Sequence, residues 1–176
     1  MNFIPTPLDG LFLIEPKVFS DERGYFLESY NQKEFNQNGI DVNFVQDNHS
    51  YSQKNILRGL HFQNPPFAQA KLIRVVTGEV FDVAVDIRPD SPTFGQYYSV
   101  NLSSENHLML YVPAGFAHGF CVLSETVNFL YKCSDFYHQE AEGGIIYNDP
   151  SLQIPWPVSD PILSAKDQAW PSYKFS

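Results

Sequence analysis

Apolar and polar residues alternate through the middle of the chain. Residues 78–88 show the alternation over the longest stretch, and a period of two predicts a β-strand that is buried on one face. The apolar set is Phe81, Val83, Val85 and Ile87, and the opposite set is Asp82, Ala84 and Asp86. Residues 71–76, 107–112, 119–123 and 126–133 are also strand-like, and Gly- and Pro-containing turn signals separate them. Many short strands predict an all-β sandwich or barrel.

Helical signals are few and short. Residues 31–38 predict one helix, with Asn31 as its N-cap and Gly39 as its terminator, and residues 164–170 predict another, capped by Ser164. The last third of the chain is rich in proline, which predicts irregular chain wrapped around the barrel. A length of 176 residues fits one domain that spans residues 1–176.

Charge and composition narrow the classes of function. The formal net charge of −9 disfavours nucleic acid as a partner, although a few Arg and Lys side chains can still form a local site for a small anion. The chain opens with no leader-like segment and contains no apolar run long enough to span a membrane, so we expect a cytoplasmic protein. Cys121 and Cys133 have neither disulfide nor metal spacing and are predicted to be small core residues.

Candidate acid–base residues lie on several predicted strands. In residues 58–63 (Arg-Gly-Leu-His-Phe-Gln), regular alternation points Arg58 to one face and His61 to the other, although a position near the strand end could bring both to a barrel mouth. A single histidine more often completes a structural hydrogen-bond network than performs catalysis. Lys71 and Tyr131 change that balance, because a cation and a phenol near a neutral imidazole form an acid–base set.

Other polar residues are ambiguous from spacing alone. The turn at residues 113–115 places His118 at the start of a strand. Arg23 lies in a predicted turn, where its spacing favours a solvent-exposed charge. The polar run at residues 46–50 suits either a loop or hydrogen bonds to a ligand. Ser164 and Asp167 have the spacing of a capping box, so spacing alone favours helix capping over catalysis for Asp167.

A metal centre is not predicted. Metal-binding β-barrels commonly use a His-x-His pair with further Glu and His ligands, but here Phe62 and Gln63 follow His61. The five histidines also show no pair closer in sequence than about the length of a strand.

Taken in order, these motifs resemble the dTDP-4-dehydrorhamnose 3,5-epimerase family. The similar segments run nearly from end to end of the chain, and they are residues 21–24, 46–50, 58–63, 78–86, 91–95, 113–120, 131–132 and 163–167. The resemblance implies a cupin-type jelly-roll β-barrel with a few short peripheral helices, a homodimer, and no metal or other cofactor. It also implies that dTDP-4-keto-6-deoxyglucose is converted to dTDP-4-keto-rhamnose by inversion at C3 and C5.

The resemblance also implies roles for individual residues. His61 is expected to be the general base, Tyr131 the opposing acid and Lys71 the support for the enolate, while Asp167 is expected to orient His61. The substrate-binding positions that carry over are Arg23, Glu28, Gln46, Asp47, Asn48, Arg58, His118, Tyr137, Glu142 and Lys166. Among them, Tyr137 matches a tyrosine that stacks on thymine.

Other functions remain open at this point. The chain could invert only C3 or only C5, or act as an epimerase or ketoisomerase on another nucleotide-bound keto-deoxysugar. It could also be a sugar-binding cupin without catalysis, or a metal-dependent cupin oxygenase. The apolar, rigid segment at residues 64–67 departs from the family pattern and is predicted to alter the loop over the sugar.

Overall fold

The computed structural model describes residues 1–175, which form thirteen β-strands and two short α-helices. The strands are β1 (Asn2–Pro5), β2 (Phe12–Glu15), β3 (Val18–Asp21), β4 (Gly24–Leu27), β5 (Gln46–Gln53), β6 (Leu57–Gln63), β7 (Lys71–Thr77), β8 (Glu79–Asp86), β9 (Tyr97–Ser103), β10 (Met109–Val112), β11 (Phe116–Val122), β12 (Thr126–Cys133) and β13 (Glu142–Gly144). The helices are α1 (Gln32–Gln37) and α2 (Ala165–Ala169). The prediction of an all-β protein with few helices is confirmed.

Two antiparallel sheets pack face to face as a jelly roll. The larger sheet has the order β1-β2-β10-β7-β12-β5, and the smaller has the order β13-β6-β11-β8-β9. Ile73 and Phe129 from the larger sheet meet Ala84 and Phe120 from the smaller one in the apolar core between them. At one end of the sandwich this core gives way to the polar side chains of a cleft.

Strand β8 is buried on both faces, so the prediction of a half-buried strand is wrong. Val83 and Val85 lie on the outer face, where Leu152 and Trp156 from the C-terminal segment cover them. Local alternation could not reveal this cover, because it comes from irregular chain that is distant in sequence. The polar set on the other face therefore points into the core, and Asp82 is buried there.

Both predicted helices are present and begin at the predicted caps. Asn31 accepts hydrogen bonds from the backbone N–H groups of Lys33 and Glu34, and Phe35 of α1 packs against the outer face of the larger sheet. Ser164 Oγ accepts the backbone N–H of Asp167 at 3.0 Å. Helix α2 then packs against β6, which brings Asp167 to the cleft.

An extra residue in β6 changes which side chains share a face. His61 pairs with His118 of β11 and Arg58 pairs with Phe120, so three steps along β6 match two steps along β11. A Cβ atom at Gly59 would lie 2.6 Å from the Cα atom of Gly119, so only glycine allows the two strands to approach this closely. Arg58 and His61 consequently line the same cavity, and the expectation from regular alternation that they face opposite ways is wrong.

The hairpin of β3 and β4 stands apart from both sheets. Phe19 and Phe26 pack on each other there, yet the side chain of Phe26 remains 69% exposed. Near its tip, Tyr25 packs against His107 in a tilted arrangement with 4.6 Å between ring centroids. No helix in the described part of the chain is long and apolar enough to cross a membrane.

Candidate active site

The cleft consists of two adjoining cavities that share four residues. An outer cavity of about 350 Å³ and an inner cavity of about 260 Å³ are both lined by His61, Lys71, Tyr131 and Glu142. The outer cavity adds Gln46, Asn48 and Tyr137, and the inner cavity adds Arg58, His118 and Lys166. Eleven of the fourteen residues suggested by the sequence as site residues, counting Asp167 behind His61, therefore come together here.

His61 lies on β6 of the smaller sheet and is held by Asp167. Its Nε2 atom is 2.5 Å from Oδ1 of Asp167, which is only 3% exposed. Burial raises the pKa of the Asp167 carboxyl, but the hydrogen bond and charge of His61 outweigh it and the net pKa is lowered. The capping interpretation is correct for the backbone of Asp167, while its carboxylate contacts the histidine.

Lys71 is the first residue of β7, and its ammonium group points into the cleft. Its Nζ atom donates to the backbone carbonyl of His61 at 3.4 Å. Burial lowers the pKa of Lys71, whereas the nearby groups of Cys133, Asp82 and Glu142 oppose that shift. A cation in such an enclosed position interacts strongly with any negative charge that develops beside it.

Tyr131 belongs to β12 of the larger sheet, so its phenol and the imidazole of His61 stand on opposite walls of the cleft. Burial, together with the neighbouring Cys133, raises the pKa of Tyr131, and Arg58 partly opposes the shift. The phenol is consequently a proton donor at neutral pH.

Hydrogen bonds organise the mouth of the cleft around Glu142. Its Oε1 atom accepts from Lys166 Nζ at 2.6 Å, and its Oε2 atom accepts from the Tyr137 hydroxyl at 3.2 Å. Gln46 fixes the backbone of Tyr137 by accepting its N–H at 3.0 Å and donates to Asn48 at 3.1 Å. The ring of Tyr137 remains 53% exposed and offers a flat surface at the entrance.

Three predicted binding residues lie outside this cleft. Asp47 points to the opposite face of β5, where it pairs with Lys132 at 2.9 Å. Arg23 is on the β3–β4 hairpin and pairs with Asp21 at 2.5 Å, and Glu28 accepts from Asn31 at 3.0 Å.

Several residues of the site were not assigned from the sequence. The amide of Gln63 donates to the carbonyls of Phe67 and Phe136 and accepts the N–H of His138, which ties two loops over the outer cavity. Its place in the segment 58–63 was a signal that could have identified it. Cys121 is a core residue as predicted, but Cys133, although buried, also borders the outer cavity. Within residues 1–175, no group of three His, Cys, Asp or Glu side chains has the geometry to hold a metal ion.

A jelly roll with an imidazole on one wall, a phenol on the other and an ammonium beside them has the acid–base arrangement that a carbohydrate epimerase, an enzyme of the isomerase class, requires. Comparison with known proteins agrees, because the family profile described as dTDP-4-dehydrorhamnose 3,5-epimerase matches residues 5–174. The chain therefore belongs to the dTDP-4-dehydrorhamnose 3,5-epimerase family, and its fold is the cupin-type jelly roll of that family.

Individual relatives support the same assignment. A dTDP-4-dehydrorhamnose 3,5-epimerase from Shigella flexneri is 58% identical, and the match covers 95% of this chain and 93% of the relative. The crystal structure of an epimerase from Legionella pneumophila in complex with dTDP-4-keto-L-rhamnose is 53% identical, with a TM-score of 0.94 over 97% of this chain and 92% of that chain. A 3'-monoepimerase from Streptomyces bikiniensis in complex with dTDP-quinovose is 35% identical, with a TM-score of 0.90 over 96% and 86% of the two chains.

Proposed function

We propose that the chain converts dTDP-4-keto-6-deoxyglucose to dTDP-4-keto-rhamnose by inverting C3 and C5, with His61 as the base and Tyr131 as the acid. The observation that carries this proposal is the position of the two side chains on opposite walls of one cleft, which Lys71 also lines. Inversion requires a base and an acid on opposite sides of the sugar, because the proton must leave one face of the carbon and a proton must return to the other.

The C4 ketone supplies the activation for both inversions. When a C–H bond at C3 or C5 breaks, its electron pair delocalises onto the ketone oxygen and the carbon becomes planar. His61 takes the proton, and Asp167 holds the imidazole through Nε2, which leaves Nδ1 for the substrate and stabilises the imidazolium that forms. Lys71 faces the developing negative charge, and Tyr131 returns a proton from the other wall.

The remaining residues of the cleft suit a nucleotide diphosphate. Arg58 and Lys166 bring positive charge to a protein whose formal net charge is −9, so a local site for pyrophosphate is available. The exposed ring of Tyr137 suits the flat face of thymine, and the amides of Gln46 and Asn48 offer further hydrogen bonds beside it. Binding energy from the nucleotide can then orient the sugar between acid and base.

A homodimer explains the positions of Arg23 and Glu28. The hairpin that carries Arg23 exposes the large apolar side chains of Phe19, Tyr25 and Phe26. A second copy of the chain would cover these rings and receive Arg23 at its cleft, since the residue does not line the cleft of its own chain.

Mixing two inactive variants tests this arrangement. Arg23→Ala and His61→Ala homodimers should each be inactive, but random heterodimers should restore about one quarter of the sites, because only one of the two sites in each heterodimer is intact. No recovery after subunit exchange, or a monomer by light scattering, would contradict the shared site.

A narrower reaction is the second candidate, because the chain is also similar to a 3'-monoepimerase. Turnover of dTDP-4-keto-6-deoxyglucose in deuterated water separates the two reactions. Deuterium at both C3 and C5 of the product supports double inversion, and deuterium at only one carbon supports the narrower reaction.

Replacement of His61 tests the acid–base assignment. His61→Ala should keep its affinity for dTDP but abolish exchange at both carbons. The matched control is His49→Ala, because His49 lies on the face of β5 that points away from the cleft, and this variant should exchange normally. Exchange that persists in His61→Ala would refute the role of His61 as the base.

A further inference from the structure

The peptide groups on both sides of Tyr137 are held by one buried side chain. Gln63 is the last residue of β6, two positions beyond His61, and it is only 7% exposed. Its Nε2 atom donates to the carbonyl of Phe136 at 3.2 Å, and its Oε1 atom accepts the N–H of His138 at 2.7 Å. The amide of a strand residue thus brackets the tyrosine at the mouth of the cleft.

The same amide joins a second loop to this segment. Its Nε2 atom also donates to the carbonyl of Phe67, in the loop before β7, at 2.6 Å. The ring of Phe67 stacks on the imidazole of His138 with 3.7 Å between centroids, and Gln69 donates to the carbonyl of Asp135 at 2.7 Å. The loop before β7 and the loop after β12 are therefore connected by side chains from both, and the glutamine amide lies where they meet.

Core packing does not account for this concentration of contacts on Tyr137. Its ring is more than half exposed, so it contributes little buried apolar surface. Gln46 nevertheless accepts its N–H, and Glu142, the register partner of Gln63, accepts its hydroxyl. Surface loops commonly satisfy their polar groups with solvent, and ordering a long side chain costs conformational entropy. Anchors from two sheets on an exposed ring indicate that the orientation of the ring is what they preserve.

We infer that Gln63 is a positioning residue that fixes Tyr137 in the orientation in which its ring stacks on the nucleotide base. This inference rests on the proposed function. Because Gln63 and His61 belong to the same strand, β6 sets both the place of the nucleotide ring and the place of the base that takes the proton. Loss of Gln63 should weaken nucleotide binding and leave the chemical step nearly intact, because Lys71 and Tyr131 are held by other strands.

Binding and kinetics of two variants test the inference. Gln63→Leu removes all three hydrogen bonds, and Gln63→Glu keeps the acceptor for His138 but loses both donors. Each should raise KM for the sugar nucleotide and Kd for dTDP about 5- to 10-fold, while kcat changes by less than about threefold. Kd for inorganic pyrophosphate, which has no base to stack, should change by less than about twofold. In a Tyr137→Ala background, Gln63→Leu should change Kd for dTDP by less than about twofold, because it acts through that ring.

The orientation of the loop can be followed without any ligand. The N–H of Tyr137 bonds to Gln46 and not to Gln63, so faster amide hydrogen exchange there reports loosening of the segment rather than loss of its own acceptor. NMR should show this amide exchanging about 10-fold faster or more in Gln63→Leu. The matched control Thr6→Val also removes three hydrogen bonds, within the loop between β1 and β2, which does not border the cleft. It should leave both this exchange rate and the affinity for dTDP unchanged.

Four results would overturn the inference. They are an unchanged exchange rate at Tyr137 in a folded Gln63→Leu, an unchanged affinity for dTDP, an equal loss of affinity for pyrophosphate, and an equal loss in the Tyr137→Ala background. A wild type that does not invert the sugar would instead refute the proposed reaction alone, since amide exchange and dTDP binding do not depend on turnover.

Discussion

Gly144 is expected to set the distance between His61 and Asp167 indirectly, by leaving room for the ring of Trp170. It is the register partner of His61 in β13, and a Cβ atom built on it would lie 2.3 Å from two ring atoms of Trp170. Ordinary contact between such carbons is about 3.5 Å, so Gly144→Ala requires Trp170 to move by about 1.2 Å. Trp170 directly follows helix α2, which carries Asp167.

A shift of that size transmitted through α2 would lengthen the 2.5 Å contact between His61 Nε2 and Asp167 Oδ1 beyond hydrogen-bonding distance. We therefore expect kcat of Gly144→Ala to fall about 100-fold, which is typical when a reacting group is misplaced by about 1 Å. Overpacking should also lower the free energy of unfolding by about 1–3 kcal/mol.

Steady-state kinetics and thermal unfolding check both expectations. Trp170→Leu makes space for the added methyl group, so introducing Gly144→Ala into that background should reduce kcat by less than about twofold. If Gly144→Ala has the kcat of the wild type, or if it costs the same with and without Trp170, the link through Trp170 does not exist.

Three further predictions follow from other parts of the molecule. Tyr131→Phe should lower the rate of inversion by about 10²- to 10⁴-fold while C3 and C5 still exchange with solvent without inversion, because His61 can return the proton to the face it came from; product NMR in deuterated water measures both. Burial alone would raise the pKa of Asp86, but hydrogen bonds from Arg88, Ser91 and Thr93 lower it to about 2, so the contribution of this carboxyl to stability is present above the unfolded value of about 3.9 and is lost as the pH falls towards 2. Asp86→Asn should therefore cost about 2 kcal/mol in urea unfolding at pH 7, and a cost that stays constant down to pH 2 would contradict this account. Tyr137→Ala should weaken dTDP binding about 10-fold in calorimetry, whereas Tyr137→Phe, which keeps the ring and loses the hydroxyl contact with Glu142, should bind within about threefold of the wild type.

Local patterns in the sequence predicted correctly those features of the structure that depend on near neighbours along the chain. Strand β12 has the predicted bounds of 126–133, and the caps at Asn31 and Ser164 are formed as expected. Periodicity and capping involve only near neighbours along the chain, so they can be identified without tertiary information.

Features that depend on distant contacts could not be predicted in this way. Asp82 appeared to belong to a solvated strand face, because its burial results from the packing of two sheets. The contact of His61 with Asp167 joins residues that are 106 positions apart, and spacing alone favoured capping for Asp167. Only the resemblance to a family brought those two residues together before the structure did.

The irregular pairing of β6 with β11 makes the difference in residue count between the two strands a functional property in its own right. Regular pairing over all three steps from Arg58 to His61 would place the guanidinium and the imidazole on opposite faces, although every side chain of the cleft would still be encoded. One residue added to β11 between His118 and Phe120 would match three steps with three and should therefore turn the guanidinium out of the inner cavity. A homologous sequence that retains each individual residue but gains one position in this stretch should not be expected to have the same activity.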